Sequence, residues 1–171
     1  FRTVRDEFDL FSAGETMLET ADKVAEEHER NVPLFLLLVR GLRTLDMQPT
    51  EPAAVAEAFL LRLLSLSGFA PSLSACAVCG APDVRRFSHS QGGAVCENCH
   101  DRDAQRVDPD ALGWLAALVA VPLEQAGESV PPPRVRRAGR ALLYGFAEYY
   151  LERRIRSLPA LAASANRAPR P

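Results

Sequence analysis

All four cysteines of this 171-residue chain fall in one stretch: Cys76 and Cys79, sixteen intervening residues, then Cys96 and Cys99. Two thiolates two residues apart can chelate one ion from a tight turn, and two such turns complete a tetrahedron, so this spacing reads as a zinc site. Gly80 suits the turn, because a left-handed backbone there costs glycine nothing. Four thiolates leave no open position for water, so the metal is structural and not catalytic. Its binding free energy, on the order of 10 kcal/mol, replaces the core that so short a module cannot build. Two disulfides are the rival reading, disfavoured by the tight pair spacing and the lack of a secretion signal at the start of the chain. An iron–sulfur cluster stays open as a further alternative. His89 and His100 lie near enough in sequence to replace a ligand, but with four cysteines in hand both read as exposed ribbon histidines.

The second set of residues with chemical potential is basic. Arg134, Arg136, Arg137 and Arg140, with Arg153, Arg154 and Arg156 further along, are the candidates for phosphate contact, and Arg85 and Arg86 could extend that surface. Arg136 and Arg154 would share a stripe if one helix ran through both, although Leu143 and Tyr150 interrupt it. An ordinary solvated helix end is the bland alternative. Phe87 could stack on a base or pack a small local core. His28 reads as a surface residue of an acidic helix. No Walker A loop, dinucleotide fingerprint, G-x-S-x-G, H-E-x-x-H or zinc-deaminase pattern occurs, so the expectation is a protein that is not an enzyme.

Helical spacing dominates the elements that must carry these residues, and alternating β-branched runs are nearly absent, which predicts a mainly α fold with an inserted four-cysteine ribbon. Ser12 with Glu15 reads as a capping box opening a helix from about Ala13 to Arg30. Val32, Pro33 and the run Leu34 to Val39 open a second, apolar all round and therefore expected to be central. A third runs from about Glu51 to Ser67, with Val55, Phe59, Leu63 and Leu66 on one face and Gly68 as its stop. In the ribbon, Val84 to Ser88 and Ala94 to Cys96 read as strands around a turn at Ser90 to Gly93. Asp108 caps and Pro109 opens a fourth helix, with Leu112, Leu115, Leu118 and Val119 on its stripe, ended by Pro122. Gly127 and Pro131 to Pro133 read as a linker. A last helix spans about Arg134 to Ser157, with Leu142, Phe146 and Tyr149 on one face. The division is thus 1–72 and 107–158 for the two parts of a helical domain, 73–106 for the ribbon and 159–171 for a disordered tail.

Composition bounds the rest. With 47% hydrophobic and 25% charged residues the chain is globular. The longest near-apolar stretch, Ala111 to Leu123, contains a glycine and a proline and is too short to span a bilayer, and the expected compartment is the cytosol. The net charge of −2 conceals an asymmetry. Residues 1–30 carry 4 basic and 9 acidic side chains, whereas residues 131–171 carry 9 and 2. Only the C-terminal quarter would attract a polyanion. Phe1 opens a charged segment with no cap or turn before it, so an N-terminal portion is expected to precede it.

The stretch Leu60 to Pro71, then Cys76-Ala77-Val78-Cys79-Gly80-Ala81-Pro82, Gly92-Gly93 and Cys96-Glu97-Asn98-Cys99, closely resembles the RecO family of bacterial DNA repair and recombination mediators. Met17 to Ala21 is similar to that family's first helix. The resemblance implies a C-terminal helical domain with an inserted zinc module held by Cys76, Cys79, Cys96 and Cys99, normally preceded by an OB-fold that this chain lacks, with Phe1 to Phe11 as the connection. It also implies a nucleoid-associated, non-enzymatic mediator. Such a mediator works with RecR and single-stranded DNA-binding protein, helps load RecA on single-stranded DNA and anneals strands.

Overall fold

The computed structural model describes residues 7–26 and 29–166. His28, read above as a surface residue, and residues 1–6 of the expected connection lie outside them. Among the described residues six α-helices form the frame: α1 (Phe8–Val24), α2 (Val32–Asp46), α3 (Pro52–Leu66), α4 (Pro109–Ala120), α5 (Pro133–Leu151) and α6 (Leu158–Ser164). Between α3 and α4 stands a small antiparallel sheet, β1 (Arg86–Ser88), β2 (Gly93–Val95) and β3 (Gln105–Arg106), ordered β2-β1-β3. The fold is mainly α with an inserted cysteine ribbon. No helix of the described residues is long and apolar enough to cross a membrane.

The central helix is α3, which packs against α1, α2, α4, α5 and α6. From Ala53 to Leu64 only Arg62 escapes burial, so helices can surround it on all sides. The expectation that α2 is central is therefore corrected. That helix buries Leu34, Gly41, Thr44 and Leu45 and leaves Phe35 and Leu36 exposed. An all-round apolar run does not distinguish a buried helix from one that turns a greasy face outward.

Helix ends account for the other departures. The capping box is not formed: α1 starts at Phe8, and the buried Ser12 hydroxyl donates to the Phe8 carbonyl at 2.8 Å. Thr16 and Thr20 repeat the pattern one and two turns on, so three hydroxyls on the buried face bond the helix's own carbonyls. By contrast, Asn31 caps α2 by accepting from the Leu34 N–H, and Asp108 caps α4 by accepting from the Asp110 N–H. At its other end α4 is held by Arg62, whose guanidinium donates to the carbonyls of Leu118, Val119 and Val121. Helix α5 stops at Leu151, six residues short of expectation, because Glu152 adopts a left-handed conformation with φ of 50°. The expected tail is not disordered over its first part: Leu158, Leu161 and Ala165 carry α6 and the turn after it into the core. Their spacing of three and four residues was the available signal, masked by Pro159, which a first helical turn accommodates.

Candidate metal centre and the charged surface around it

The ribbon brings the four cysteine sulfurs to one point, all within 4.8 Å of one another. The Sγ atoms of Cys79 and Cys96 lie 3.8 Å apart, and a tetrahedral zinc with Zn–S bonds of about 2.3 Å has S···S edges of about 3.8 Å. All four are free thiols, and a disulfide would need about 2.05 Å. The donor set thus fits a four-thiolate metal and neither pair is a disulfide. Burial pushes the Cys76 thiol up, but backbone N–H groups of Cys96, Cys79 and Val78 overcome it and draw Cys76 down to about 6. Cys99, sharing protons with Cys79 and Cys96, is pushed up to about 12. The centre therefore holds protons that a metal would displace.

Two hairpin-like turns carry the thiols because the backbone closes around them. The Gly80 N–H donates to the Cys76 carbonyl and the Cys99 N–H to the Cys96 carbonyl. The chain segment before Cys76 clasps the second strand: Ser72 N–H donates to the Gly92 carbonyl and Ala94 N–H to the Ser72 carbonyl. Gly93 permits this clasp, since a Cβ there would lie 2.4 Å from the Ser72 carbonyl oxygen and its φ is 133°. The turn at Ser90 is fixed by Ser88 and Ser90 hydroxyls on Asp101. The third strand was missed because its two residues, Gln105 and Arg106, are both exposed and show no alternation.

Neither histidine belongs to the thiol cluster. His100 is exposed as expected, with Nδ1 against the Glu97 carbonyl at 2.8 Å. His89 is half-buried instead, between the ribbon and α5, against the rings of Phe87, Phe146 and Tyr149. Gly145 makes room for it, as a Cβ there would stand 2.9 Å from the imidazole. Burial pushes the His89 imidazole down, keeping it neutral where it packs. Phe87 is buried against Phe146 and belongs to the main core, so the base-stacking alternative is closed. The ribbon is joined to the frame through this aromatic seam, and the Tyr150 hydroxyl donates to the His89 carbonyl at 2.8 Å.

The structure divides the six arginines proposed to contact DNA. Arg140 is 5% exposed and paired with the fully buried Glu57, whose carboxylate also accepts from the Tyr144 hydroxyl. Arg136 is paired with Glu51 at 3.0 Å with a largely covered side chain. These two are corrected from surface contacts to internal ion pairs. The sequence signal for Arg140 was Glu57 itself, a lone carboxylate in an apolar helix that needs a partner. Arg86 bonds Glu97 at 2.9 Å and the Ala104 carbonyl, bracing the ribbon. Arg134 bonds Asp108 at the start of α4. Arg85 pairs with Asp83 in an open, solvated position. Only Arg137 is exposed with no carboxylate partner among the described residues. The stripe through Arg136 and Arg154 does not exist, because the helix ends between them.

A sequence model for the family described as "Recombination protein O C terminal" matches residues 5–159. The chain belongs to the RecO family. It is 43% identical over 150 residues to the DNA repair protein RecO of Streptomyces avermitilis, covering 86% of this chain and 60% of that protein. It is 38% identical over 161 residues to the DNA repair protein RecO of Frankia casuarinae, covering 93% and 65%. With that of Thermobifida fusca the identity is 37% over 154 residues, covering 89% and 63%. The chain thus spans less than two thirds of the length of these RecO proteins.

Proposed function

We propose that this chain is the partner-docking, zinc-stabilised part of a non-enzymatic homologous recombination mediator in the bacterial cytoplasm, associated with the nucleoid. In that role it works with RecR and single-stranded DNA-binding protein to load RecA on single-stranded DNA and to anneal strands. The observation carrying this reading is the match of a RecO C-terminal family model to nearly the whole chain, together with the four converging thiols. Zinc bound there would hold the ribbon, and every other contribution comes from grooves and charges on the helical frame.

Two apolar grooves differ in the charge of their rims. The one between α1 and α2, lined by Leu18, Leu34, Phe35 and Leu38, is edged by Asp22 and Glu29 and would repel an acidic peptide. The one along α2, lined by Leu36, Val39 and Met47, is edged by Arg40 and Arg43. Arg40 is bidentate to Glu124 at 2.6 Å, whereas Arg43 is exposed with no carboxylate partner among the described residues. An acidic tail ending in phenylalanine, the segment through which single-stranded DNA-binding protein would dock in this proposal, suits the second groove. The test is titration of a labelled acidic, Phe-ended peptide: Met47→Glu and Arg43→Glu should each weaken binding at least tenfold, and unchanged affinity in both removes the groove from the proposal. The ion pairs of Arg134, Arg136 and Arg140 favour a second reading, a zinc-ribbon protein-interaction domain with no nucleic-acid role.

A further inference from the structure

Between α1 and the segment joining α5 to α6 lies a cleft of about 830 Å³, walled by Arg153, Arg154 and Arg156 on one side and Glu19, Asp22 and Lys23 on the other, with Pro159 at the edge. The three arginines are exposed, and none has a carboxylate partner among the described residues. Two of the acidic groups nearby, Glu19 and Glu148, are already engaged. Glu19 accepts from the Arg156 and Ser157 N–H groups at 2.9 and 2.8 Å and from the Ser157 hydroxyl at 2.6 Å, and it pairs with Lys23 at 3.2 Å. Glu148 accepts from the Ile155 N–H. Asp22 is the remaining carboxylate on the wall, set against three guanidiniums.

The arginines also sit on a fixed loop. Glu152 turns the chain out of α5, Ile155 is buried, and Glu19 clamps the loop to α1 through two backbone amides and a hydroxyl. The guanidiniums therefore project from a backbone ordered before any ligand arrives, which lowers the ordering cost of binding. Planar forks of this kind take phosphate bidentately. The lining offers no apolar pocket to seat a peptide anchor and no aromatic ring to stack a base. It suits a polyanionic backbone read without regard to sequence.

We infer that the cleft of Arg153, Arg154 and Arg156 holds the sugar-phosphate backbone of single-stranded DNA. This inference rests on the proposed recombination role and assigns DNA contact to this chain. The test is fluorescence anisotropy of a labelled thirty-residue oligothymidylate with the zinc-loaded 171-residue chain over a range of salt. The variant carries Arg153→Gln, Arg154→Gln and Arg156→Gln, with its helicity checked by circular dichroism. The variant should bind at least tenfold more weakly, and its plot of log affinity against log salt should be shallower by about 2, at about 0.7 per lost phosphate contact. Oligocytidylate should behave as oligothymidylate does. Equal affinity and slope for variant and parent overturn the cleft while leaving the recombination role standing, with DNA held elsewhere. No binding by the parent at low salt also overturns it, and the acidic-peptide titration on α2 then decides the docking role separately. An acidic peptide that binds through these arginines where the oligonucleotide does not overturns it in favour of a protein partner.

Discussion

Cys76 and Arg140 show what single side chains contribute here. The Cys76 sulfur collects three amide donors, which favour its thiolate form and hold it well below Cys99. Cys76→Ser should abolish the one zinc per chain that a chromogenic chelator releases from the parent. Zinc affinity of the parent should fall as pH is lowered and fall more steeply below about 6, where a proton competes for the Cys76 sulfur in addition to the one on Cys99. Arg140 is different in kind. Burial pushes the Glu57 carboxyl up, and the adjacent guanidinium opposes it. Arg140→Met would strand that carboxylate and should cost about 3–5 kcal/mol in urea unfolding. Replacing both, Arg140→Met with Glu57→Leu, should recover most of the loss, since an apolar pair of similar volume is often as stable as a buried ion pair. A double variant as unstable as the single one would show that the pair holds α3 to α5 by geometry that apolar packing cannot reproduce.

Elements here are joined at their ends, and two joints can be tested. Glu19 on α1 grips the start of α6, and although burial works against ionisation, the bonds from Ser157, the Arg156 N–H and Lys23 lower its carboxyl from 4.5 to about 2. A lowered value means the joint contributes stability in full above about 4.5 and loses it as pH falls toward about 2. Glu19→Gln should therefore flatten the acid limb of the stability profile in that window and leave its slope near neutrality unchanged. The second joint is the Ser72 clasp. Gly93→Ala forces a Cβ into the Ser72 backbone and should cost about 1–3 kcal/mol, read as earlier loss of ribbon amide protection in hydrogen exchange. These joints also mark what sequence reading could reach. Pro33, Asp108 and Pro109 announce helix starts by local chemistry, and α2 and α4 begin where those residues put them, while the Asn31 cap of α2 was not read from the sequence. The end of α5 depends on a left-handed Glu152, and the start of α1 on hydroxyls that turn inward, neither of which has a local signature.

At the scale of the whole molecule the ribbon and the frame are not independent modules. Leu73, Phe87 and Ala94 of the ribbon belong to the same buried cluster as α3 and α5. The spacing of the cysteines was enough to predict that the four thiols converge, but nothing in it shows that Phe87 and His89 would key into α5. Chelating the metal should leave most of the helical circular dichroism intact yet lower the midpoint of thermal unfolding of the frame. It should also raise binding of an apolar dye as the Phe146 and Tyr150 rings are uncovered. A frame whose melting is indifferent to the chelator would contradict the shared core. Charge reads the same way: basic side chains crowd the C-terminal quarter of the sequence, but folding spends Arg134, Arg136 and Arg140 on carboxylates and leaves Arg137 and the Arg153 to Arg156 loop facing solvent.

Lys23 is the only lysine of the chain, and it stands on the wall of the arginine cleft, paired with Glu19. Among side chains, then, an amine-reactive dye has a single address. Because Glu19 keeps its bonds from Arg156 and Ser157 when Lys23 is modified, a fluorophore attached there leaves the joint in place. Its emission would follow what enters and leaves the cleft, with no engineered cysteine to disturb the thiol centre.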